Sequence, residues 1–317
     1  MTGVVALAGG VGGAKLAAGL EAALARGGSP GDLSVVVNTA DDFDLWGLRV
    51  CPDLDTVMYT LAGLANPDTG WGVTDESFAA LGMISAYGED AWFKLGDRDL
   101  ATHILRTQRL RAGKCLTEVT AGLAGALGVS SALLPMSDEP VSTVLETDAG
   151  LLEFQEYFVR REQRDEVSGV RLRGIESARV PVEVREAVAR AEAIILCPSN
   201  PIVSVGPILA VPGMRKLLST SPAPKVAVSP IVGGRALKGP ADRMLQSLGH
   251  EVSATGVARM YEGCIDGFVI DRADREEAGI SSLGMCVLAT DAVMRTEADR
   301  ERLGREVLEF CSELGIA

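Results

Sequence analysis

The sequence predicts an α/β fold of three layers, with helices on both faces of a mostly parallel sheet. Three observations predict it. Short apolar runs, many β-branched, alternate along the chain with amphipathic helical patterns. Near-continuous apolar strands of this kind are buried on both faces by their crossover helices. The chain opens with a strand, a glycine loop and a helix pattern, and polar residues follow most of the apolar runs. Right-handed crossovers then give a doubly wound sheet with a site beyond its carboxyl ends. At 317 residues and 47% hydrophobic the chain is long enough for one large core, and residues 1–317 are read as a single domain.

The first element is a strand over Val4–Ala8. It opens into Gly9-Gly10-Val11-Gly12-Gly13-Ala14-Lys15 and a helix. Glycines let backbone N–H groups approach phosphate oxygens, and a helix N-terminus favours their charge. The loop is not a Walker A motif, because Ala14 precedes Lys15 and Leu16 follows it. It is not a dinucleotide fingerprint either, because the third glycine of that pattern falls on Lys15. The competing reading is a turn that only lets the helix pack closely on a strand.

The second strand, Leu33–Val37, runs into Asn38-Thr39-Ala40-Asp41-Asp42, and Pro52-Asp53-Leu54-Asp55-Thr56 follows. Carboxylates at a strand end can hold Mg²⁺ through oxygen. Asp53 or Asp55 also suits the cap of the following helix. Residues 53–128 read as a helical insertion over the strand ends. Within it, Lys94-Leu95-Gly96-Asp97-Arg98-Asp99 packs charges of both signs, with Asp97 or Asp99 suited to capping and Lys94 and Arg98 suited to an anion or carbonyl. A strand at Ala132–Leu134 follows. Residues 141–160 alternate around Asp148-Ala149-Gly150, predicting a small β-hairpin added to the sheet.

Strands are next expected at Ala193–Cys197, Lys225–Val228, Gly267–Ile270 and Met285–Ala289, with a closing amphipathic helix over Arg295–Leu314. Ser199 and Asn200 follow the first of these. They can read ribose hydroxyls or a base edge, although Asn200 also suits a self-bonded turn. Ser229 opens a loop through Gly233, Gly234, Arg235 and Lys238 that reads as a second anion or base contact.

The formal net charge of −13 argues against nucleic acid and anionic membranes as partners. Phosphate binding in so acidic a protein needs local positive groups or a divalent cation. Six cysteines without a C-x-x-C pair fit buried thiols in a reducing, cytoplasmic setting. No apolar run is long enough to span a membrane.

These motifs resemble the 2-phospho-L-lactate transferase family of coenzyme F-420 biosynthesis. The resemblance rests on G-G-V-G-G-A-K at Gly9 to Lys15, N-T-A-D-D at Asn38 to Asp42 and P-D-L-D-T-V-M-Y at Pro52 to Tyr59. It continues in K-L-G-D-R-D-x-A-T-H at Lys94 to His103, L-P-M-S-D at Leu134 to Asp138, P-S-N-P-I-V-S-x-G-P-I at Pro198 to Ile208 and S-P-I-V-G-G at Ser229 to Gly234. It implies a Rossmann-like core, a homodimer and Mg²⁺ as cofactor. The implied reaction moves a phospho-organic-acid group, phospholactate or phosphoenolpyruvate, from a guanosine diphosphate ester. The ribityl hydroxyl of 7,8-didemethyl-8-hydroxy-5-deazariboflavin accepts it, and GMP leaves. Residue by residue, the resemblance implies deazaflavin contacts at Asp42 and Lys94 and metal carboxylates at Asp41 and Asp55. It places the guanosine diphosphate on Gly9, Gly10, Gly12, Gly13, Lys15, Ser199 and Asn200. Asp42 is the first candidate to accept the ribityl proton, with Asp41 beside it in the catalytic set. A nucleotide-sugar-binding regulator of related fold shares the glycine opening but has no use for metal carboxylates. A Rossmann oxidoreductase is disfavoured by the missing third glycine.

Overall fold

The computed structural model describes residues 3–275 and 279–316. In chain order β1 (Val4–Ala8) leads into α1 (Gly10–Arg26) and β2 (Leu33–Val37), then a small hairpin of β3 (Phe43–Leu45) and β4 (Leu48–Val50). The insertion follows as α2 (Pro52–Leu61), α3 (Ala79–Ala86), α4 (Asp97–Arg111) and α5 (Leu116–Ala126). After β5 (Ala132–Pro135) come β6 (Ser142–Thr147), β7 (Gly150–Glu153) and β8 (Val167–Arg173). The second half runs α6 (Val182–Ala189), β9 (Ala193–Leu196), α7 (Val205–Ala210), α8 (Met214–Thr220) and β10 (Lys225–Val228). It ends with β11 (Ile231–Val232), β12 (Arg235–Ala236), α9 (Ala241–Ser247), α10 (Ala254–Met260), β13 (Gly267–Asp271), β14 (Cys286–Thr290) and α11 (Glu297–Ile316).

The main sheet has the order β14-β13-β10-β9-β1-β2-β5, and every pairing in it is parallel. It is a Rossmann-like order with one further edge strand. All seven apolar runs are its strands, within a residue or two at their ends. Alternate side chains of β1 feed two cores. Val5 and Leu7 join the layer of α6, α7 and α10, and Val4, Ala6 and Ala8 join the layer of α1, α2 and α11. A strand buried on both faces has no polar side to show, which is why these runs lack alternation.

The chain order reverses between β1 and β9, so the two crossovers leave in opposite directions there and open a crevice. Helix α1 is clamped beside it by α11. A Cβ on Gly19 would lie 2.0 Å from the Arg300 carbonyl oxygen, and one on Gly304 would lie 2.5 Å from the Gly19 backbone. Only hydrogen fits at that crossing, so α1 is held rigidly against the sheet.

Two expectations need correction. The hairpin at 141–160 exists, with Thr147 paired to Gly150, but it is not added to the main sheet. It forms a separate sheet in the order β7-β6-β8, whose third strand the sequence reading missed. Strand β8 carries charge, Val167-Ser168-Gly169-Val170-Arg171-Leu172-Arg173, and of it only Val167 is fully buried, so its apolar signal is thin. The capping of α4 is also exchanged. Glu76 accepts from the N–H groups of Arg98 and Asp99, while Asp97 accepts from Ala79 and Ala80 at the start of α3. The two helices thus cap one another across a turn. No helix among the described residues is long and apolar enough to cross a membrane.

Candidate active site

A cavity of about 640 Å³ opens at the reversal between β1 and β9. That is the size of a site that encloses a nucleotide-sized ligand. Its floor is the glycine loop. The first turn of α1 leaves the N–H groups of Gly10, Val11 and Gly12 without carbonyls four residues earlier in the helix. Two of the glycines are required by packing. A Cβ on Gly12 would sit 2.3 Å from the Pro198 carbonyl oxygen, and one on Gly13 would sit 2.5 Å from Ser199 Oγ. The loop thus packs closely on the β9 loop, and the helix N-terminus it opens lines the cavity.

Several predicted nucleotide contacts are committed to backbone. Ser199 Oγ donates to the Gly9 carbonyl (2.8 Å) and accepts from the Gly9 N–H (3.0 Å), which latches the loop after β1 to the loop after β9. Asn200 Oδ1 accepts from the N–H groups of Ile202 (2.9 Å) and Val203 (3.4 Å), the self-bonded turn. Ser229 Oγ donates to the Ile231 carbonyl (2.8 Å). All three line the cavity, so they shape its wall. Other polar residues after strands do not reach it. Asp138 accepts from Thr117 at the start of α5, and Asp271 accepts from Ala273 and Ala292. Their strands β5 and β13 lie away from the reversal.

Lys15 gives the floor its positive charge. Its amine donates to the Met294 carbonyl (3.1 Å), and burial, Arg300 and Lys238 all push its pKa down. Like charges collected beside a helix N-terminus are stabilised by an anion. The N–H of Gly10 already has a negative partner, since it donates to Asp53 Oδ1 at 2.8 Å. Asp53 therefore caps α1, not its own helix.

Asp53, half-buried, is paired with the buried Asp41. The Asn38 amide donates to Asp41 Oδ2 (3.0 Å) and Asp53 Oδ2 (2.9 Å). Burial, and then the charge of Asp53, raise the Asp41 carboxyl well above the ordinary range, and burial lifts Asp53 to about 6. Asp41 Oδ1 is buried without a hydrogen-bond partner, and Asp41 lines the cavity. Asp42 is buried too, and burial lifts it to about 7 against the pull of Arg49. It is not on the cavity wall. Its carboxylate lies 3.7 Å from Arg49 under the β3–β4 hairpin.

A second charged group lines the cavity beside it. Asp55 on α2 is doubly hydrogen-bonded by the guanidinium of Arg106 on α4. His103 Nε2 lies 3.2 Å from Asp99, its Nδ1 lies 3.2 Å from Arg106 Nη1, and Tyr59 donates to Asp99 at 2.7 Å. A guanidinium only donates, so Nδ1 is the acceptor and the ring proton belongs on Nε2. Burial raises Asp99, but the hydrogen bonds it accepts from His103 and Tyr59 outweigh it and hold the carboxyl below its usual range. One ligand atom each from Asp55, Asp99 and His103 lie within 4.8 Å of one another, a spacing that suits a divalent metal. The sequence reading missed Arg106 and left Asp99 and His103 without a site role. Their signal was the i, i+4, i+7 spacing on α4, which puts all three on one face.

The outer wall is aromatic. Trp92 and Phe93 pack edge to face and both meet Phe43, while Phe154 and Phe158 stack at 5.5 Å across the opening. Lys94 is exposed beside them and lines the cavity. One pocket thus gathers a helix N-terminus with Lys15, buried acidic groups and an aromatic wall.

Comparisons with known proteins agree with this architecture. A family model described as 2-phospho-L-lactate transferase CofD matches residues 4–310. A phosphoenolpyruvate transferase of Streptomyces griseus is 43% identical over 323 residues, covering 98% of this chain and 99% of that one. A 2-phospho-L-lactate transferase of Methanosarcina acetivorans is 41% identical over 300 residues, covering 94% and 96%. Among solved structures, a UPF0052-family protein of Bacillus halodurans superposes with a TM-score of 0.67 at 15% identity, covering 97% and 98%, a likeness of fold. With a family match over nearly its whole length, the chain belongs to the 2-phospho-L-lactate transferase family, CofD.

Proposed function

We propose that the protein transfers a phospho-organic-acid group from a guanosine diphosphate ester to the terminal ribityl hydroxyl of a deazaflavin. The observation that carries this reading is the single cavity with a phosphate-suited floor and an aromatic rim. A diphosphate fits the first turn of α1 with Lys15, and a tricyclic ring fits between Trp92–Phe93 and Phe154–Phe158. The donor's acid can be lactate or enolpyruvate, as the names of the two relatives suggest.

In this reading the ribityl oxygen attacks the phosphorus that bears the acid. A new P–O bond forms as the bond to GMP breaks, and GMP carries away the bridging oxygen. Such transfers depend on in-line placement and charge neutralisation. Asp41 is the wall carboxylate suited to take the hydroxyl proton. Asp42 supports it from behind through Arg49 and the β3–β4 hairpin. Lys94 steadies the acceptor at the rim.

A divalent cation would have Asp41 Oδ1 on the cavity wall and the Asp55, Asp99 and His103 cluster, which would first have to give up the Arg106 guanidinium that now occupies both Asp55 oxygens. Asp41 and Asp55 are proposed as carboxylates for Mg²⁺, which when bound neutralises diphosphate charge. A homodimer is proposed on the family resemblance alone.

The test is double occupancy. Titrating the deazaflavin into protein saturated with GDP, with Mg²⁺ present, should give one bound deazaflavin per chain. Mutual exclusion of the two ligands would contradict a shared cavity with two ends.

A further inference from the structure

Two loops meet over the glycine floor. One is the turn at 66–72 in the helical insertion, and the other follows β12. Lys238 on the second donates to the Thr69 carbonyl on the first at 2.7 Å. Both residues line the cavity, whereas Arg235, three residues before Lys238 and grouped with it by sequence as an anion contact, does not, so only Lys238 keeps that role. Beneath them lies Gly70, at a φ of +78°. A Cβ there would stand 2.7 Å from Val11 Cγ1, in the first turn of α1, and 3.2 Å from the Lys238 amine. The turn therefore rests on the helix N-terminus with Lys238 across its back.

The turn is preformed and the crossing is weak. Asn66 Oδ1 accepts from the N–H groups of Asp68 and Thr69, and Thr69 Oγ1 donates to the Trp71 carbonyl. These bonds hold residues 66–71 as a unit. The tie to Lys238 is one exposed hydrogen bond to a neutral oxygen. Such a bond is worth little in water and is readily exchanged for a charged acceptor. Glycines at positive φ flank Lys238 at Gly233, Gly234 and Gly239, so its loop can turn without side-chain strain.

We propose that Lys238 is a second cation for the donor diphosphate, and that with the 66–72 turn it forms a strap closing over the phosphates. The inference rests on the proposed function and adds a residue and a closing motion to it. In the free protein Lys238 is parked on the Thr69 carbonyl. With a diphosphate on the floor, its amine faces anionic oxygens below, opposite Lys15. The turn then covers them, which keeps water from the phosphorus.

The test is calorimetric titration of GDP and of guanosine into the whole protein and its variants. Lys238→Ala should weaken GDP about tenfold or more while leaving guanosine unchanged, with Lys238→Arg between. Gly70→Ala should weaken GDP as well, by prising the turn off Val11. Arg235→Ala, which removes the same charge from the same loop, should match the wild type. Unchanged GDP affinity in Lys238→Ala would overturn the proposal. So would equal losses in Lys238→Ala and Arg235→Ala, or an equal loss for guanosine. A wild-type protein that binds no GDP would instead overturn the underlying nucleotide reading, and the strap with it.

Discussion

Replacing Asp42 with Asn tests whether that carboxyl is a buried ionisable load on the fold. Burial lifts it from an ordinary 3.8 to about 7, with Arg49 as its nearest cation. A raised carboxyl binds its proton more tightly folded than unfolded. Its contribution is fully present below pH 4 and is lost as pH rises towards 7. Three pH units correspond to about 4 kcal/mol, of which about 2–3 kcal/mol falls between pH 5 and pH 8. Asn has no such dependence. Relative to the wild type, Asp42→Asn should therefore gain about 2–3 kcal/mol between these pH values. Asp41 and Asp53 titrate in both proteins and largely cancel. The Arg49 attraction acts only on ionised Asp42 and is already part of this tilt, and the guanidinium keeps Asp44 at 3.6 Å. Urea unfolding of both proteins at pH 5, 6, 7 and 8 measures the tilt. A difference that stays constant across that range would refute a raised carboxyl at this position.

Arg106→Met should lower stability by about 3–5 kcal/mol, because it leaves Asp55 charged and unpaired in the interior; thermal melting checks it, and a loss under 1 kcal/mol would remove the pair from the core. Asp41→Asn should cut turnover by two orders of magnitude or more and flatten the Mg²⁺ dependence, read from initial rates at several Mg²⁺ concentrations. Lys94→Ala should raise the KM for the deazaflavin several-fold with little change for the donor; a change confined to the donor would move Lys94 to the floor.

The sheet was legible because strands buried on both faces must be apolar throughout, so Leu33–Val37 and Ala193–Leu196 stand out without any tertiary knowledge. Strand β8 was not, because Arg171 and Arg173 face solvent on a sheet covered on one side only. In the site, the glycine loop and the acidic blocks were legible as chemistry but not as partners. Nothing local says that Asp53 reaches back 43 residues to the Gly10 N–H, or that Arg106 meets Asp55 across 51. Serine is ambiguous in the same way. Ser199 has the same sequence surroundings whether its hydroxyl meets a ribose or, as here, the Gly9 backbone. The aromatic wall gathers Trp92 and Phe93 from one segment and Phe154 and Phe158 from another, and has no sequence motif at all.

The proposed transfer releases GMP. Incubating the protein with the deazaflavin, Mg²⁺ and each candidate donor, and resolving the nucleotides by chromatography, tests it directly. One GMP should appear for each deazaflavin phosphodiester formed, with at least one donor acid. No turnover with any donor, or release of GDP in place of GMP, would contradict it.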